Sequence, residues 1–315
     1  MDKRLENRCR RRDGNQLLGA SVQIALLRER IDRVAAKANA RVLIVGEAGS
    51  GGLNVATLIH DKSPRKAKPF YSFACGSVSA DLLPDIFLGR EKDVFPGAAK
   101  AERGLIELAN GGTLFLEDVG RLPFDVQDVL LQFVENGCIT RLGGSKEIDA
   151  DVRIIASTSG NLAELVHDGK FSAELFMRLN VAQLRIPPLR ERREDIGVIA
   201  DAWWCPRHNR KHLSQEQIAA LCEYDFPGNV QELTNLLERA DIFGMADFGD
   251  LLDEHRQMNS GLADPSSRKQ SVPDPLEEVI RWHVREVYRK YGQSSSKAAS
   301  ALKITRNTLR KYLHD

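Results

Sequence analysis

Residues 42–53 read VLIVGEAGSGGL, and they decide the fold class of this chain. The apolar run Val42–Val45 has the length and composition of a strand buried in a sheet. The residues after it contain four glycines, which let backbone N–H groups turn toward an anion where a helix begins. The order of strand, glycine-rich loop and helix predicts a phosphate-binding loop. The alternative is a glycine-rich turn that binds no nucleotide.

This loop lacks the two side chains that normally complete a nucleotide site. In the full motif, Lys and then Ser or Thr follow the last glycine. The corresponding residues here are Gly52 and Leu53, so no ammonium reaches the outer phosphates and no hydroxyl binds Mg²⁺. The candidate nucleotide-binding residues are Gly46, Glu47, Ala48, Gly49, Ser50, Gly51, Gly52 and Leu53.

Short apolar runs alternate with helical stretches up to about residue 189. Apolar residues at helical spacing mark residues 22–38. Because strands that alternate with helices form a parallel sheet, we expect an α/β fold with helices on both faces of the sheet. The further strand runs are Phe70–Ala74, Thr113–Leu116, Val152–Ala156 and Ala182–Ile186.

A pair of carboxylates, Glu117 and Asp118, directly follows the strand run Thr113–Leu116. Carboxylates at the end of an apolar strand suit Mg²⁺ coordination and the activation of an attacking water. The alternative is an ordinary strand end whose acidic side chains contact solvent. A glycine-rich loop followed by such a pair is a more specific signal than either motif alone.

The C-terminal residues 276–315 predict three helices in a helix-turn-helix arrangement. From Arg289 onward seven Lys and Arg stand against one Asp, and the third helix, 306–313, carries polar and basic side chains. Such side chains reach phosphates and base edges, although a helical oligomerisation segment with a solvated basic face is the alternative. The candidate DNA-binding residues are Lys297, Thr305, Arg306, Asn307, Thr308, Arg310 and Lys311.

The composition excludes several classes of protein. The 315 residues are 42% hydrophobic and 28% charged, which excludes collagen and a disordered polymer. The 45 Lys and Arg are balanced by 44 Asp and Glu, which excludes a globally basic nucleic-acid binder. Five cysteines spread over the chain favour a reducing compartment rather than a disulfide scaffold. No secretory signal or membrane-spanning run is found, so we expect a cytoplasmic protein without a membrane partner.

The patterns divide the chain into five segments. Residues 190–240 show helical periodicity without a strand run, and residues 241–275 are rich in Gly, Ser, Pro and Asp, which favours a linker. A basic tail at 1–16 is either solvated or a weak phosphate-contacting arm. The segments are the tail (1–16), the α/β core (17–189), the helical segment (190–240), the linker (241–275) and the helix-turn-helix domain (276–315).

One group of cysteines and histidines has to be weighed as a metal site. Cys205, His208, His212 and Cys222 have a spacing that matches no common structural zinc pattern, and they fall in a helical segment. The sequence therefore predicts no metal site, and these residues are assigned to helix packing.

The motifs in this order resemble those of the AAA+ activators of sigma-54-dependent bacterial transcription, over nearly the whole chain. The resemblance implies an AAA+ core at 17–189, a helical lid at 190–240, a Fis-type helix-turn-helix domain and a ring of ATP-hydrolysing subunits. With no receiver or sensor domain before Leu17, the chain resembles the short members of the family. The signatures are Gly46–Gly51, Gly111–Asp118, Arg178–Val181, Pro187–Arg192 with Asp195–Ile196, and Pro227–Leu233.

Nearly every position that the family uses on the γ-phosphate is changed in this chain. The family implies Glu117, Asp118 and Arg178 as the catalytic set, but its acidic pair reads Asp then Glu, and the reversal moves each carboxylate by about 1.5 Å. Loss of one arginine supplied in trans costs about 10³-fold or more in rate. The other changed positions are Gly52 for Lys, Ala74 and Ser159 for Asn, and Ser172 and Gln231 for Arg.

The loop that contacts sigma-54 is also altered. The family pattern GAFTGA is replaced by DVFPGA, in which Pro96 removes a hydroxyl and a backbone N–H and fixes φ. The resemblance implies sigma-54 RNA polymerase as a partner, and Pro96 argues against productive engagement by this chain alone. The residues of this sigma-contact loop are Asp93, Val94, Phe95, Pro96, Gly97 and Ala98.

The sequence as a whole predicts a DNA-binding transcriptional regulator whose own ATP hydrolysis is impaired or lost. It would act through promoter or enhancer DNA, or in a ring with itself or a competent AAA+ relative. ATP with Mg²⁺ is the cofactor that the resemblance implies, bound weakly or not at all. The alternatives are an ATP-hydrolysing activator that remodels the closed polymerase complex, and a regulator that binds a nucleotide or another anion as a signal without hydrolysis.

Overall fold

A computed structural model describes residues 16–94, 100–245 and 247–259, and nine isolated positions between 284 and 309. The chain divides into two units, Met1–Asp253 and Glu254–Asp315. The strands are β1 (Val42–Val45), β2 (Phe70–Ala74), β3 (Gly89–Arg90), β4 (Glu102–Arg103), β5 (Thr113–Glu117), β6 (Cys138–Thr140), β7 (Glu147–Asp149), β8 (Arg153–Thr158) and β9 (Ala182–Arg185). The helices are α1 (Val22–Ala35), α2 (Gly52–Asp61), α3 (Leu83–Leu88), α4 (Leu105–Leu108), α5 (Phe124–Asn136), α6 (Leu162–His167), α7 (Ala173–Leu179), α8 (Asp195–Trp204), α9 (Gln215–Cys222), α10 (Asn229–Phe243) and α11 (Phe248–Asn259).

Five parallel strands form the central sheet in the order β2-β5-β8-β1-β9. All of them lie within one or two residues of the predicted strand runs, so the parallel sheet expected from the sequence is confirmed. In this order β8 lies between β5 and β1, so the carboxyl ends of these strands, with the glycine-rich loop and the acidic pair, share one edge of the sheet.

Helices cover both faces of the sheet, as the sequence predicts. Phe115 of β5 is buried in one apolar cluster with Ile59 of α2, and α1 contributes to the same cluster. Its neighbour Leu116 is buried in a second cluster with Leu130 of α5. Since successive strand side chains point to opposite faces, a strand covered on both sides is mostly apolar, which explains the near-continuous apolar runs.

Two short hairpins were not predicted from the sequence. Strand β3 pairs with β4, and β6 pairs with β7, both antiparallel. Each strand has only two or three residues, most of them not fully buried, so neither a period nor an apolar run marks them. The β3–β4 pair carries the predicted sigma-contact loop. Of that loop, Asp93 and Val94 are described, and residues 95–98 lie outside the described residues.

Helices α8, α9 and α10 form the segment predicted to be helical. Helix α11 extends it, and here the predicted linker at 241–275 is wrong for residues 248–259. Phe248, Leu251 and Leu252 of α11 are buried in the same apolar cluster as Leu233 and Leu237 of α10. Their i, i+3, i+4 spacing is helical, but the surrounding Gly and Asp residues made the composition resemble a linker.

The N-terminal end of α1 is fixed to the first residue of α8. Asp195 is fully buried and accepts hydrogen bonds from the backbone N–H of Ala20 (2.6 Å) and Ser21 (2.8 Å) and from the Ser21 hydroxyl (2.6 Å). The same Ser21 caps α1 by accepting from the N–H of Ile24. A buried carboxylate with three donors holds the core and the helical segment together at this point.

The second unit is described only at isolated positions. Val284, Ala299 and Leu309 are buried in one apolar cluster, with Val287, Tyr288, Leu302 and Ile304 packed against it. The predicted DNA-binding residues Lys297, Thr305–Thr308, Arg310 and Lys311 lie outside the described residues, as does the basic tail up to residue 15. The helix-turn-helix arrangement therefore stays a prediction. Among the described residues, no helix has the length and apolar character that crossing a membrane requires.

Candidate functional site

The glycine-rich loop connects β1 to α2 in the geometry of an anion-binding turn. Gly49 (φ 74°) and Gly51 (φ 107°) adopt left-handed backbone conformations that favour glycine. Gly51 is the N-cap of α2, and no side chain among the described residues caps this helix. The first N–H groups of α2 therefore lack side-chain acceptors, which is the arrangement that binds phosphate at a helix N-terminus.

The start of α10 packs directly on this loop. The backbone N–H of Gln231 donates to the Gly49 carbonyl oxygen at 3.2 Å. A Cβ on Gly49 would lie 2.1 Å from the carbonyl oxygen of Gly228, so only glycine allows this approach. The loop is also held from within, since the N–H of Ser50 donates to the carbonyl oxygen of Glu47 at 3.1 Å. Its shape thus depends on the helical segment as well as on the core.

Asn229, the first residue of α10, is fully buried and connects three parts of the site. Its side-chain amide donates to the carbonyl oxygen of Ala48 (3.0 Å) and to the carboxylate of Glu47 (3.2 Å). Its side-chain oxygen accepts the backbone N–H of Leu189 at 2.8 Å. The residue adopts φ 55°, a conformation that asparagine tolerates better than most residues. The sequence places Asn229 in a motif but does not predict this bridging role.

Glu47 of the loop forms a two-pronged ion pair with Arg190. The guanidinium nitrogens Nη1 and Nη2 lie 2.7 and 2.5 Å from the two carboxylate oxygens. The hydrogen bonds from Arg190 hold the pKa of Glu47 below its ordinary value, against the opposing effect of partial burial. The same bonds raise the pKa of Arg190. The negative charge of Glu47 is thereby compensated beside the candidate phosphate-binding loop.

Arg192 places a buried cation behind the loop. It is 2% exposed, and its Nη2 lies 3.5 Å from the carbonyl oxygen of Ser50. Its Nε has no hydrogen-bond partner among the described groups. Burial lowers the pKa of Arg192, because the charged form is desolvated. No sequence pattern assigns Arg192 a role, since its proximity to Ser50 arises only in the folded chain.

Gly52 occupies the position at which the lysine is missing, and the fold leaves room for a side chain there. A Cβ on Gly52 would meet only Ser157, at 3.8 Å from both its Cβ and its Oγ, which is ordinary van der Waals contact. Gly52 begins α2 and does not require a left-handed conformation. Packing therefore does not explain the absence of the lysine. The next residue, Leu53, packs against the apolar cluster that includes α1.

The two carboxylates of the acidic pair differ in their contacts, since Asp118 has hydrogen-bond and ion-pair partners and Glu117 has none among the described residues. Asp118 adopts a left-handed conformation (φ 59°), and its Oδ1 accepts from the N–H (3.3 Å) and the hydroxyl (3.2 Å) of Ser159. Its Oδ2 lies 2.9 Å from Nε of Arg121. Glu117 is exposed, and no described residue donates a hydrogen bond to its carboxylate. Ser159 therefore holds the second carboxylate of the pair, not the first.

The register of the sheet places Ala74 directly beside Glu117. The resemblance implies an asparagine at this position, and a methyl group stands beside Glu117 in its place. The next residue, Cys75, is 1% exposed and donates its backbone N–H to the Glu117 carbonyl oxygen at 2.9 Å. Burial, with the nearby charges of Asp118 and Glu117, strongly raises the pKa of the Cys75 thiol, so it stays protonated and inert.

The three positions at which the family has arginines, Arg178, Ser172 and Gln231, make hydrogen bonds within this chain. Arg178 on α7 donates through Nε (3.0 Å) and Nη2 (2.6 Å) to Glu135 on α5 and is about half exposed. Ser172 caps α7 by accepting the N–H of Leu175. The Gln231 side chain donates to Asn235 at 3.0 Å. Ser172 and Gln231 are thus accounted for by helix capping and surface hydrogen bonding.

The cysteines and histidines weighed as a metal site do not come together as one group. Cys205 and His212 approach each other, with Asp201 as a third member. His208 stacks on Trp204 instead, at a centroid distance of 3.9 Å, and the Cys222 thiol faces the Arg193 carbonyl oxygen at 3.7 Å.

Comparison with known proteins identifies the family of this chain. Residues 17–185, more than half of the chain, match the family model described as the sigma-54 interaction domain. The chain belongs to the sigma-54 interaction domain family. Residues 190–264 match a second model, the AAA+ ATPase lid domain, and this span includes the helix that the sequence had assigned to the linker. The family identified from the sequence motifs is therefore confirmed.

Two relatives of this sigma-54 interaction domain chain are named as regulatory proteins. The response regulator protein PilR of Pseudomonas aeruginosa is 42% identical over 234 residues, 72% of this chain and 52% of PilR. The C4-dicarboxylate transport transcriptional regulatory protein DctD of the same organism is 37% identical over 300 residues, 93% of this chain and 63% of DctD. This chain spans about half the length of PilR and under two thirds of DctD.

A solved relative matches the fold over nearly the whole chain. The structure of NtrX from Brucella abortus in complex with ADP superposes with a TM-score of 0.70 at 27% identity, covering 96% of this chain and 69% of that one. The structure of the same protein in complex with ATP gives a TM-score of 0.68 at 27% identity, with 95% and 68% covered.

Proposed function

We propose that this chain is a DNA-binding transcriptional regulator of the sigma-54 activator type whose own ATP hydrolysis is impaired or lost. The main support for this proposal is the absence of a lysine at Gly52. The loop around it keeps the backbone geometry of a phosphate site and has space for a side chain, yet the lysine is absent. A loop that keeps its geometry but lacks the lysine favours a regulator that retains the AAA+ fold and has low ATPase activity.

Weak nucleotide binding is the part of this proposal that the loop supports. Uncapped N–H groups of α2 and the left-handed glycines suit a phosphate. Arg192 supplies a cation near the loop but bonds to the Ser50 carbonyl oxygen, so it does not replace a lysine that reaches the outer phosphates. NtrX, which shares the fold, was solved with both ATP and ADP. We infer that ATP with Mg²⁺ occupies this loop with low affinity.

Loss of hydrolysis follows from the surroundings of the acidic pair. Asp118, the residue at the water-polarising position, is bound by Ser159 and Arg121 and is not free to orient a water. Glu117 has Ala74 beside it and no donor that sets its direction. A general base misplaced by about 1 Å loses on the order of 10²-fold in rate. The missing lysine and one missing trans arginine lower it further.

DNA and protein partners complete the proposal. The basic C-terminal residues 276–315 supply promoter or enhancer DNA contacts, in keeping with the named roles of the relatives PilR and DctD as regulators. A ring with itself or with a competent AAA+ relative supplies the assembly, and Arg178, about half exposed, is the side chain offered to a neighbouring subunit. Contact with sigma-54 polymerase is weakened by Pro96.

Two binding measurements test the proposal. Equilibrium binding of ATP and ADP with Mg²⁺ to the full chain is expected to be weak, and promoter fragments are expected to be retarded at low salt with an affinity that falls steeply as salt rises. Tight ATP binding accompanied by hydrolysis would favour the ATP-hydrolysing activator instead. Failure to retard any promoter fragment at low salt would remove the DNA-binding part of the proposal.

A further inference from the structure

Three different metal-ligating side chains converge at the end of α8. Asp201 and Cys205 are four residues apart and share one face of the helix. The following loop brings His212 back onto that face. Its Nδ1 lies 2.9 Å from Oδ2 of Asp201 and 3.4 Å from Sγ of Cys205, and all three ligand atoms lie within 4.8 Å of one another.

The two separations from His212 are close to those of a tetrahedral metal site. Zn²⁺ bound at about 2.3 Å from sulfur and about 2.0 to 2.1 Å from nitrogen and oxygen sets its ligands about 3.4 to 3.6 Å apart. The distance from Cys205 to His212 already has this value. The distance from His212 to Asp201 has to open by about half an ångström, which a rotation of the exposed imidazole supplies.

The group is held in place by contacts outside it. The second carboxylate oxygen of Asp201 accepts the backbone N–H of Leu213 at 3.0 Å, which leaves Oδ2 directed at His212. A hydrogen bond of this kind orients a ligating carboxylate in known metal sites. The loop is fixed between Cys205 and His212, because the N–H of Arg210 donates to the Cys205 carbonyl oxygen at 2.8 Å. The His212 side chain is 73% exposed, so water has access as a fourth ligand.

We propose that Asp201, Cys205 and His212 bind a zinc-like divalent transition-metal ion in the lid, with water in the fourth position. A thiolate, an imidazole and a carboxylate suit Zn²⁺ and its neighbours, whereas Mg²⁺ and Ca²⁺ prefer oxygen ligands alone. The ion joins the end of α8 to the segment that precedes α9 and so fixes this turn of the lid. The sequence did not predict the site because Asp201 was not among the residues compared with zinc spacings.

Cobalt titration of the full, reduced and metal-free chain tests the proposal. We expect about one Co²⁺ per chain, a thiolate-to-cobalt charge-transfer absorption in the near ultraviolet, and displacement of the cobalt by Zn²⁺. Cys205→Ser is expected to abolish that absorption. His212→Gln, at an exposed position where folding is not in question, is expected to weaken binding by about 100-fold or more.

Two lid residues provide matched controls. Cys222→Ser removes a second lid thiol, and His208→Gln removes a second lid imidazole, and both residues have other partners. Both variants are expected to bind Co²⁺ as the unaltered chain does. The proposal is overturned if the unaltered chain gives no thiolate absorption at micromolar Co²⁺, or if Cys205→Ser or His212→Gln binds it unchanged.

Discussion

Gly52→Lys is the substitution that most sharply probes the nucleotide site. The new Cβ meets only Ser157 at 3.8 Å, so the backbone has no reason to move. Lysine gains about 0.5 to 1 kcal/mol over glycine in helix propensity, and a cation at a helix N-terminus loses about 0.3 to 1 kcal/mol. The two terms offset each other, and we expect the thermal midpoint of unfolding to stay within a few degrees of the original value.

The gain in ATP affinity follows from the hydrogen bond that the ammonium restores. A hydrogen bond to a charged group contributes about 1.5 to 3 kcal/mol net, which is about a 10- to 150-fold decrease in Kd. Isothermal titration with ATP and Mg²⁺ measures this change. Gly52→Met, of similar length and without the charge, is the matched control and is expected to leave the Kd within about threefold of the unaltered chain. We expect no gain in hydrolysis from this substitution, because the surroundings of Glu117 and Asp118 are unchanged.

Two outcomes would refute this reasoning. If Gly52→Lys and Gly52→Met bind ATP equally, the loop does not direct phosphates toward this position. If the unaltered chain already binds ATP as tightly as Gly52→Lys, another cation replaces the lysine, and Arg192 would then be the first residue to test.

Three further predictions concern the lid contacts and the DNA interface. Asn229→Ala removes buried hydrogen bonds to Ala48 and Leu189. It should lower the free energy of unfolding, measured by urea titration, by about 2 to 4 kcal/mol. An effect below about 0.5 kcal/mol would show that these hydrogen bonds do not stabilise the fold. Glu47→Gln should cost at most about 1 kcal/mol at pH 7, since the pair with Arg190 is well exposed. Because the folded pKa of Glu47 is lowered, this contribution is present above the unfolded pKa and is lost as the pH falls through the folded pKa. The difference in thermal midpoint between the two proteins should therefore shrink as the pH falls below about 4.3, the unfolded pKa of a glutamate. A difference that stays constant on acidification would contradict the assignment. Arg310→Ala should weaken promoter binding and reduce the slope of log affinity against log salt by about one, and an unchanged slope in a gel-shift series would place Arg310 away from the phosphates.

The central sheet and the loop were predictable because both are local patterns. A strand covered on both faces is apolar at most positions, so Val42–Val45 and Thr113–Leu116 stand out in the sequence. The glycines of the loop stand out because the turn demands left-handed conformations at Gly49 and Gly51. Helix α11 was missed because its apolar spacing is embedded in residues that favour turns.

The contacts that shape the site were not predictable, because they join residues far apart in the chain. Asn229 reaches the carbonyl oxygen of Ala48 and Arg190 reaches Glu47, and neither pairing leaves a local spacing signal. The same holds for Arg192 behind Ser50. The space beside Gly52 is likewise a property of the folded chain. Because packing does not require glycine there, the absence of the lysine has to be explained by function.

Phosphate release from ATP by the unaltered chain, with Mg²⁺ and promoter DNA present, tests directly whether ATP hydrolysis is impaired or lost. Ordinary enzyme turnover starts at about 1 s⁻¹, and the loss of one trans arginine alone costs about 10³-fold. We expect turnover below about 10⁻³ s⁻¹, unaffected by Glu117→Gln. Turnover of about 1 s⁻¹ that Glu117→Gln abolishes would contradict this expectation and identify a working ATPase.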